Sequence, residues 1–214
     1  MAASSDIERR VGDYYSGKVR EHGPTPSGVD WNSGESQETR FAQLLRAADG
    51  LPAPLAINDW GCGYGALVEY LDARGMPFRY HGYDISASMI EHARTRFAGR
   101  DDCTFGTDEA VVPEADVTVA SGIFNVLAGS AAGEWAAYVR RTVARMAEVS
   151  RRGLAYNMLT DYSDPERMEE RLHYGDSRSE FDWCKRNLSR HVALLHDYGL
   201  WEFTIVVRFQ EDVA

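Results

Sequence analysis

The sequence has little cysteine and no long hydrophobic run. Its 214 residues include three cysteines, Cys62, Cys103 and Cys184, which are widely spaced and form no Cys-x-x-Cys pair. This pattern predicts neither a disulfide framework nor a zinc site, so we expect no bound metal. No apolar stretch reaches the ~18 residues of a membrane span, and the N-terminus lacks a signal-peptide core. We therefore expect a cytoplasmic protein that does not contact a membrane.

Positive charge is also scarce. The chain has 23 lysines and arginines against 33 aspartates and glutamates, which gives a formal net charge of −10. A nucleic-acid groove needs a basic surface, so we expect no nucleic-acid partner. The arginines at 140, 141, 145 and 151–152 recur along one predicted helix, and we interpret them as its solvated face. Length and an apolar content of 44% predict one domain over 1–214, as a monomer or homodimer.

What the sequence does have is a glycine-rich run after an apolar segment. A strand is predicted at 55–60, with Asp59 near its end. Glycines then stand at alternate positions from Gly61 to Gly65, before a helical segment at 66–74. Glycines at this spacing allow a tight turn and let a ligand lie against bare main chain at a helix N-terminus.

A second acidic residue follows the next predicted strand. The strand 78–83 ends in Asp84. In α/β nucleotide-binding folds, an acidic residue at the end of the second strand holds the ribose hydroxyls. Together, the glycine loop and Asp84 predict a site for a nucleoside cofactor.

Three cofactor classes are compatible with a glycine loop. A nucleoside triphosphate is disfavoured because no lysine follows these glycines, as a P-loop requires. A dinucleotide stays open: Gly61-x-Gly63-x-x-Ala66 satisfies its motif, and Asp84 lies 18 residues after Ala66. An NAD-dependent oxidoreductase is therefore the first alternative. The second is a non-catalytic Rossmann-like binding module, which the presence of both carboxylates disfavours.

The third cofactor class is S-adenosylmethionine. The run from Asp59 to Gly65 resembles the Asp/Glu-x-Gly-x-Gly-x-Gly loop of class I S-adenosylmethionine-dependent methyltransferases. Asp59 would repel a pyrophosphate and attract the ammonium of a methionine moiety. Strand-like runs at 192–196 and 201–209 predict a terminal hairpin. The resemblance implies such a hairpin with its last strand antiparallel, and it favours S-adenosylmethionine over NAD.

Strand-like and helical segments alternate, which predicts an α/β fold. We expect a doubly wound, Rossmann-like sheet of seven strands, mostly parallel with an antiparallel last strand. Residues 1–48 are expected to form N-terminal helices and a lid at 14–40, with a loop at 22–34. Residues 160–190 are expected to be an insertion before the hairpin. Strands are predicted at 55–60, 78–83, 103–105, 115–120, 153–159, 192–196 and 201–209. Helices are predicted at 6–18, 36–48, 65–74, 86–97, 133–149, 165–172 and 180–188.

The resemblance also implies cofactor-binding residues. Arg40 is expected to pair with the methionine carboxylate, Met89 to pack on the adenine and Asp108 to receive its amino group. A surface arginine, a core methionine and an ordinary turn are the respective alternatives. The full set is Arg40, Asp59, Trp60, Gly61, Cys62, Gly63, Gly65, Asp84, Ile85, Met89, Asp108 and Ser121.

The expected reaction is methyl transfer to an oxygen or nitrogen of a small molecule, with S-adenosylhomocysteine as product. The Asn/Asp-Pro-Pro-Tyr/Phe motif of nucleic-acid base methylation is absent after the fourth strand. Candidate catalytic residues are Asn125, Asp161 and His173, the last two as general bases. Candidate substrate-binding residues are Tyr15, Trp31, Asn32, Phe124, Asn125, Asn157 and Tyr174. The sequence does not rank them, and Asn125 fits a helix cap equally well.

Overall fold

The computed structural model describes residues 2–23 and 34–210, so the predicted substrate residues Trp31 and Asn32 lie outside the described residues. The strands are β1 (Leu55–Trp60), β2 (Phe78–Tyr83), β3 (Cys103–Gly106), β4 (Ala115–Ala120), β5 (Ser150–Leu159), β6 (His191–Leu195) and β7 (Glu202–Arg208). The α-helices are α1 (Ala2–His22), α2 (Gly34–Leu44), α3 (Ala66–Ala73), α4 (Ala87–Arg96), α5 (Ala132–Glu148) and α6 (Ser177–Asn187).

The seven strands form one sheet in the order β3-β2-β1-β4-β5-β7-β6. The pairs among the first five strands are parallel, and β7 lies antiparallel between β5 and β6. The predicted seven-stranded, doubly wound sheet with an antiparallel last strand is confirmed. Strand β4 is almost wholly buried, as its continuous apolar run requires of a strand that is covered on both faces.

Helices cover both faces of the sheet and create two hydrophobic cores. One core joins side chains of α1, α5 and α6 to the sheet, with Trp135 and Tyr156 fully buried at its centre. The other joins α2 and α3 to the opposite face through residues such as Phe41 and Leu71. Strand order reverses between β1 and β4, so the loops after these strands diverge and open a crevice at their carboxyl ends.

The prediction of a helix at 165–172 is wrong. Only a 3₁₀ turn, Pro165–Arg167, forms there, and Met168 already has extended backbone angles. The chain is then drawn into β-bridge contact: Leu172 pairs with Val126, and the Leu127 amide donates to the Arg171 carbonyl. Tertiary pairing has therefore overridden the local helix signal. Within 2–23 and 34–210, no helix is both long enough and apolar enough to cross a bilayer.

Gly153 provides a test of the sheet register. A Cβ at this position in β5 would stand 2.6 Å from the Val207 carbonyl oxygen of β7, a backbone atom that cannot turn away. We expect Gly153→Ala to lower the free energy of unfolding by about 2–3 kcal/mol, measured by urea denaturation. Gly133→Ala is the matched control, because a Cβ there meets nothing within 4 Å and helix α5 favours alanine. Equal stability of the two variants would contradict the register.

Candidate active site

A pocket lies at the carboxyl ends of β1, β2 and β4, at the reversal of strand order. It encloses about 930 Å³ of space, counting its open mouth. The loops after the three strands form its floor, and helices α1, α2 and α5 contribute its walls. Nine of the twelve predicted cofactor residues line it: Asp59, Trp60, Gly61, Cys62, Gly63, Asp84, Ile85, Met89 and Ser121.

The glycine loop is held against the end of β2. The Gly61 and Cys62 amides both donate to the Tyr83 carbonyl, at 2.7 and 3.0 Å. Gly61 has a φ of 81°, and a Cβ there would lie 2.2 Å from Cγ2 of Ile123. Glycine is therefore required at 61 both by backbone conformation and by the close approach of the loop after β4.

Asp84 connects the glycine loop to helix α4. Its Oδ2 accepts the Gly63 amide at 2.9 Å, and its Oδ1 accepts the Ser86 amide at 2.8 Å. Burial raises the pKa of Asp84 to about 6, although these two hydrogen bonds act to lower it. The carboxylate is thus a buried acceptor at the position where a ribose is expected.

Asp59 lies on β1, immediately before the glycine loop, and also lines the pocket. Its Oδ2 accepts the Tyr80 hydroxyl at 2.7 Å, and the side chain is almost fully buried. Burial raises the pKa of Asp59 to about 7; the Tyr80 hydrogen bond lowers it and the nearby Asp84 carboxylate raises it. The pocket floor therefore holds two poorly solvated carboxylates.

Apolar side chains complete the part of the pocket beyond Asp84. Ile85 and Met89 line it, and Met89 is only 1% exposed, so the residue belongs to the pocket wall and to the protein interior at once. Trp60 and Tyr83 pack edge to face with ring centroids 4.8 Å apart. These residues provide an apolar surface of the kind an adenine ring contacts.

Gly65 and Asp108 do not line the pocket. Gly65 precedes α3 with a φ of 85°, and a Cβ there would stand 2.6 Å from the Phe97 ring, so packing explains the glycine. The exposed Asp108 carboxylate accepts the Ala110 amide at 2.9 Å and caps a 3₁₀ turn. The neighbouring Glu109 lines the pocket instead.

Glu109 and Glu8 are pocket residues that the sequence predictions missed. Burial raises the pKa of Glu109, the Glu8 carboxylate raises it further, and Arg145, 3.5 Å away, lowers it. Glu8 lies on α1 at spacings of three and seven from Val11 and Tyr15, which also line the pocket. This i, i+3, i+7 pattern was a usable signal, because it places all three on one helix face.

Arg40 lies behind the pocket wall. Its Nε donates to both carboxylate oxygens of Glu202, at 2.9 and 2.8 Å, and both side chains are buried. Arg40 is absent from the pocket lining, whereas Gln37 and Phe41 of the same helix belong to it. The Arg40 guanidinium therefore pairs with a protein carboxylate, whereas the family resemblance predicts that it pairs with the methionine carboxylate of the cofactor.

Of the predicted substrate residues that are described, only Tyr15 lines the pocket. Phe124 is fully buried, with its ring 5.6 Å from that of Tyr156. Asn125 uses its Oδ1 to accept the Leu159 amide at 3.1 Å. Asn157 is fully buried and accepts the Gly122 amide at 2.7 Å. Phe124, in the loop after β4, is inaccessible because its ring belongs to the hydrophobic core, and Asn157 is inaccessible because both faces of β5 are covered.

The remaining candidates lie in the insertion, away from the pocket lining. The His173 ring is 6.4 Å from that of Trp135, and burial lowers its pKa. The Tyr174 hydroxyl accepts the Glu169 amide at 3.0 Å, and Asp161 is exposed. A base role for Asp161 or His173 stays a prediction. The part of the chain that the structure describes contains no group of three or more histidine, cysteine or acidic residues arranged to hold a metal.

Comparison with known proteins agrees with this geometry. The family described as "Methyltransferase domain" matches residues 59–153. Rv1506c of Mycobacterium tuberculosis, a protein named as a methyltransferase, is 49% identical over 166 residues, which is 78% of this chain and 98% of that protein.

Two solved structures share the fold at low sequence identity. The N-methyltransferase NodS from Bradyrhizobium japonicum has a TM-score of 0.62 at 16% identity, covering 92% of this chain and 98% of that one. CalS10, an amino pentose methyltransferase from Micromonospora echinaspora, has a TM-score of 0.58 at 16% identity, covering 84% and 92%.

The chain belongs to the class I S-adenosylmethionine-dependent methyltransferases. The family resemblance predicted from the glycine loop is thereby confirmed, and so are the enzyme class and S-adenosylmethionine as cofactor. The alternatives of an NAD-dependent oxidoreductase and of a non-catalytic module are not supported.

The raised pKa of Asp59 makes a prediction about the ligand-free protein. A carboxyl whose pKa rises from 3.8 to about 7 on folding destabilises the fold at pH 8 by roughly 4 kcal/mol, and stability returns progressively as the pH falls from about 7 to 3.8. We expect Asp59→Asn to raise the melting temperature at pH 8 and to change it far less at pH 5. The asparagine can still accept the Tyr80 hydroxyl.

Asp116→Asn is the opposite-sign control for that experiment. Burial raises the pKa of Asp116, but hydrogen bonds from the Ala56 amide and Arg151 more than reverse this, and its pKa is lowered. We therefore expect this variant to melt lower at pH 8. An Asp59→Asn variant that melts below the wild type at pH 8 would contradict the assignment of a desolvated charge.

The contact between Gly61 and Ile123 gives a second prediction. Gly61→Ala should weaken binding of S-adenosylhomocysteine at least ~10-fold, because its Cβ forces the loop after β4 outward. Ile123→Ala in the same chain should restore part of the affinity, leaving the backbone strain of a positive φ. The measurement is titration calorimetry. Equal affinity of the single and double variants would refute the clash.

Proposed function

We propose that this methyltransferase acts on an oxygen or nitrogen atom of a small neutral or cationic molecule. One observation carries the proposal: the described pocket lining includes four carboxylates, Glu8, Asp59, Asp84 and Glu109, and no lysine, arginine or histidine. Such a lining attracts a sulfonium and an ammonium and repels anions. An anionic acceptor would meet the same repulsion.

The polar residues of the pocket fit S-adenosylmethionine. The Ser121 Oγ is buried and has no hydrogen-bond partner among the described residues, although buried hydroxyls are normally bonded. Asp84 retains acceptor capacity beyond its two backbone amides and would hold the ribose hydroxyls. Asp59 would face the methionine ammonium.

The adenine would lie on the apolar part of the pocket. Ile85 and Met89 would supply the surface, and Glu109, which lines the pocket with Glu8, would accept from the exocyclic amino group. This proposal replaces Asp108 by its neighbour in the role of adenine acceptor. We prefer Glu109 because the Asp108 carboxylate caps a 3₁₀ turn and does not line the pocket.

The bound cofactor supplies an electrophilic methyl group. The chain has to align the acceptor and exclude water. Helix α1 contributes to both tasks, since Glu8, Val11 and Tyr15 line one wall and the helix is fixed by hydrogen bonds from Arg10 to Ser130 and between Ser16 and Ser86. We propose α1 and the start of α2 as the lid over the reaction. A hydroxyl acceptor would also need a base, for which Asp161 and His173 remain candidates.

The test has two arms. Calorimetry should detect S-adenosylhomocysteine binding that Asp84→Ala weakens about 30-fold or more, through loss of charge-assisted hydrogen bonds. Asp72→Ala, an exposed carboxylate of α3 paired with Arg100, is the control and should bind as the wild type does.

The second arm identifies the acceptor class. Pools of small amines, including amino sugars in view of the CalS10 likeness, neutral alcohols and carboxylates are incubated with the methyl donor. Mass spectrometry then searches for products heavier by one methylene unit. We expect products from the amine or alcohol pools. Methylation confined to the carboxylates would overturn the proposed acceptor class.

A further inference from the structure

A buried chain of hydrogen bonds connects helix α2 to the loop after β4. The Arg40 guanidinium donates to Glu202, and the Asn157 Nδ2 donates to the second oxygen of Glu202 at 2.5 Å. Asn157 Oδ1 accepts the Gly122 amide at 2.7 Å. The three side chains come from α2, β7 and β5, and none is more than 7% exposed.

Both ends of this chain border the pocket. Gly122 lies between Ser121, whose buried hydroxyl has no partner among the described residues, and Ile123, which packs on Gly61. At the other end, Arg40 stands on α2 between Gln37 and Phe41, both of which line the pocket. A substitution in this buried chain of hydrogen bonds would therefore affect two walls of the pocket, although none of its side chains lines the pocket.

The chemistry of the three side chains fixes the donor and the acceptor of each hydrogen bond. Asn157 must present its oxygen to the Gly122 amide and its nitrogen to Glu202, because a backbone N–H only donates and a carboxylate only accepts. Glu202 holds that orientation, and Arg40 compensates the buried charge of Glu202. Gly122 has a φ of 71°, and because glycine has wide backbone freedom its own preference does not fix the loop; the Asn157 oxygen that accepts its amide does.

We propose that Asn157, Glu202 and Arg40 are positioning residues that set the loop 121–123 for the cofactor. Arg40 then acts on cofactor affinity through this buried chain and has no contact with the methionine carboxylate. The proposal rests on the proposed function only in naming the ligand, since the ordering of the loop is a property of the ligand-free chain.

Amide hydrogen exchange tests the ordering directly. In the ligand-free protein, Asn157→Ala should speed exchange of the Gly122 amide at least ~10-fold, because its acceptor is lost. Asn58→Ala is the matched control: Asn58 is also a buried strand asparagine, on β1, whose Nδ2 donates to the Pro113 carbonyl at 2.7 Å. It should leave Gly122 exchange unchanged.

Titration calorimetry with S-adenosylhomocysteine tests the consequence. We expect Asn157→Ala to weaken binding at least ~10-fold, measured well below its melting temperature, and Asn58→Ala to bind within about twofold of the wild type even where it melts lower. If both variants lose affinity in proportion to their drop in melting temperature, the role of Asn157 is merely structural and the proposal is overturned.

Swapping the amide and the carboxylate between positions 157 and 202 tests the hydrogen-bond pattern even if Asn157→Ala fails to fold. Asn157→Asp alone opposes two buried carboxylates and should abolish measurable binding. Combining it with Glu202→Gln leaves one negative charge in the buried chain, now at position 157. The new side-chain amide at position 202 can donate to that carboxylate. Recovery to within about fivefold of the wild-type affinity is expected, and a double variant no better than the single one would overturn the proposal.

The two proposals fail in different ways. A wild-type protein that binds neither S-adenosylmethionine nor S-adenosylhomocysteine would refute the proposed function. In that case the exchange rate of the Gly122 amide, which needs no ligand, still decides whether the buried chain orders the loop.

Discussion

The two hydrogen bonds of the Asp84 carboxylate hold the pocket together. They join the glycine loop after β1, through the Gly63 amide, to the start of α4, through the Ser86 amide. The Tyr83 carbonyl next to Asp84 accepts two further amides of the same loop. The end of β2 therefore determines the course of the loop after β1, and the rest of the pocket is arranged around that pair.

This arrangement has an energetic cost that explains the electrostatics of the site. Burial raises the pKa values of Asp59 and Asp84 to about 7 and about 6, so the ligand-free fold holds two carboxylates where their charge is poorly solvated. Each of them accepts hydrogen bonds that offset part of this cost. A ligand that brings positive charge and hydroxyl donors to the pocket would remove more of it.

The sheet and the glycine loop could be predicted from the sequence because their signals are local. Apolar runs of strand length and alternate glycines were enough to locate β1, β2 and β4, and the family resemblance carried by the glycine loop then led to nine lining residues. Arg40 could not be placed in this way, because its partner Glu202 lies 162 positions further along the chain. An arginine at the correct distance from a motif satisfies a family pattern equally well whether it meets a ligand or a protein carboxylate.

The helix at 165–172 and the choice between Asp108 and Glu109 also depend on more than the local residue types. A proline at a helix start predicted a helix at 165–172, but the bridge between Leu172 and Val126 took the chain into extended pairing. At Asp108 and Glu109, one residue of register decided which carboxylate became a cap and which entered the pocket. Register of this kind depends on the backbone angles of a turn, which neighbouring residue types alone do not specify.

The positions of Arg40 and Asn157 suggest how a pocket whose charged lining side chains, among the described residues, are all acidic can still use a cation. An arginine in the lining would compete with the sulfonium and neutralise the carboxylates that attract it. Placed behind the wall and paired with Glu202, the guanidinium contributes order with little net charge toward the ligand. The Gly122 amide, oriented through Asn157, transmits that order to the loop. Charge attraction and loop positioning are thus assigned to different residues, so each can be altered without removing the other.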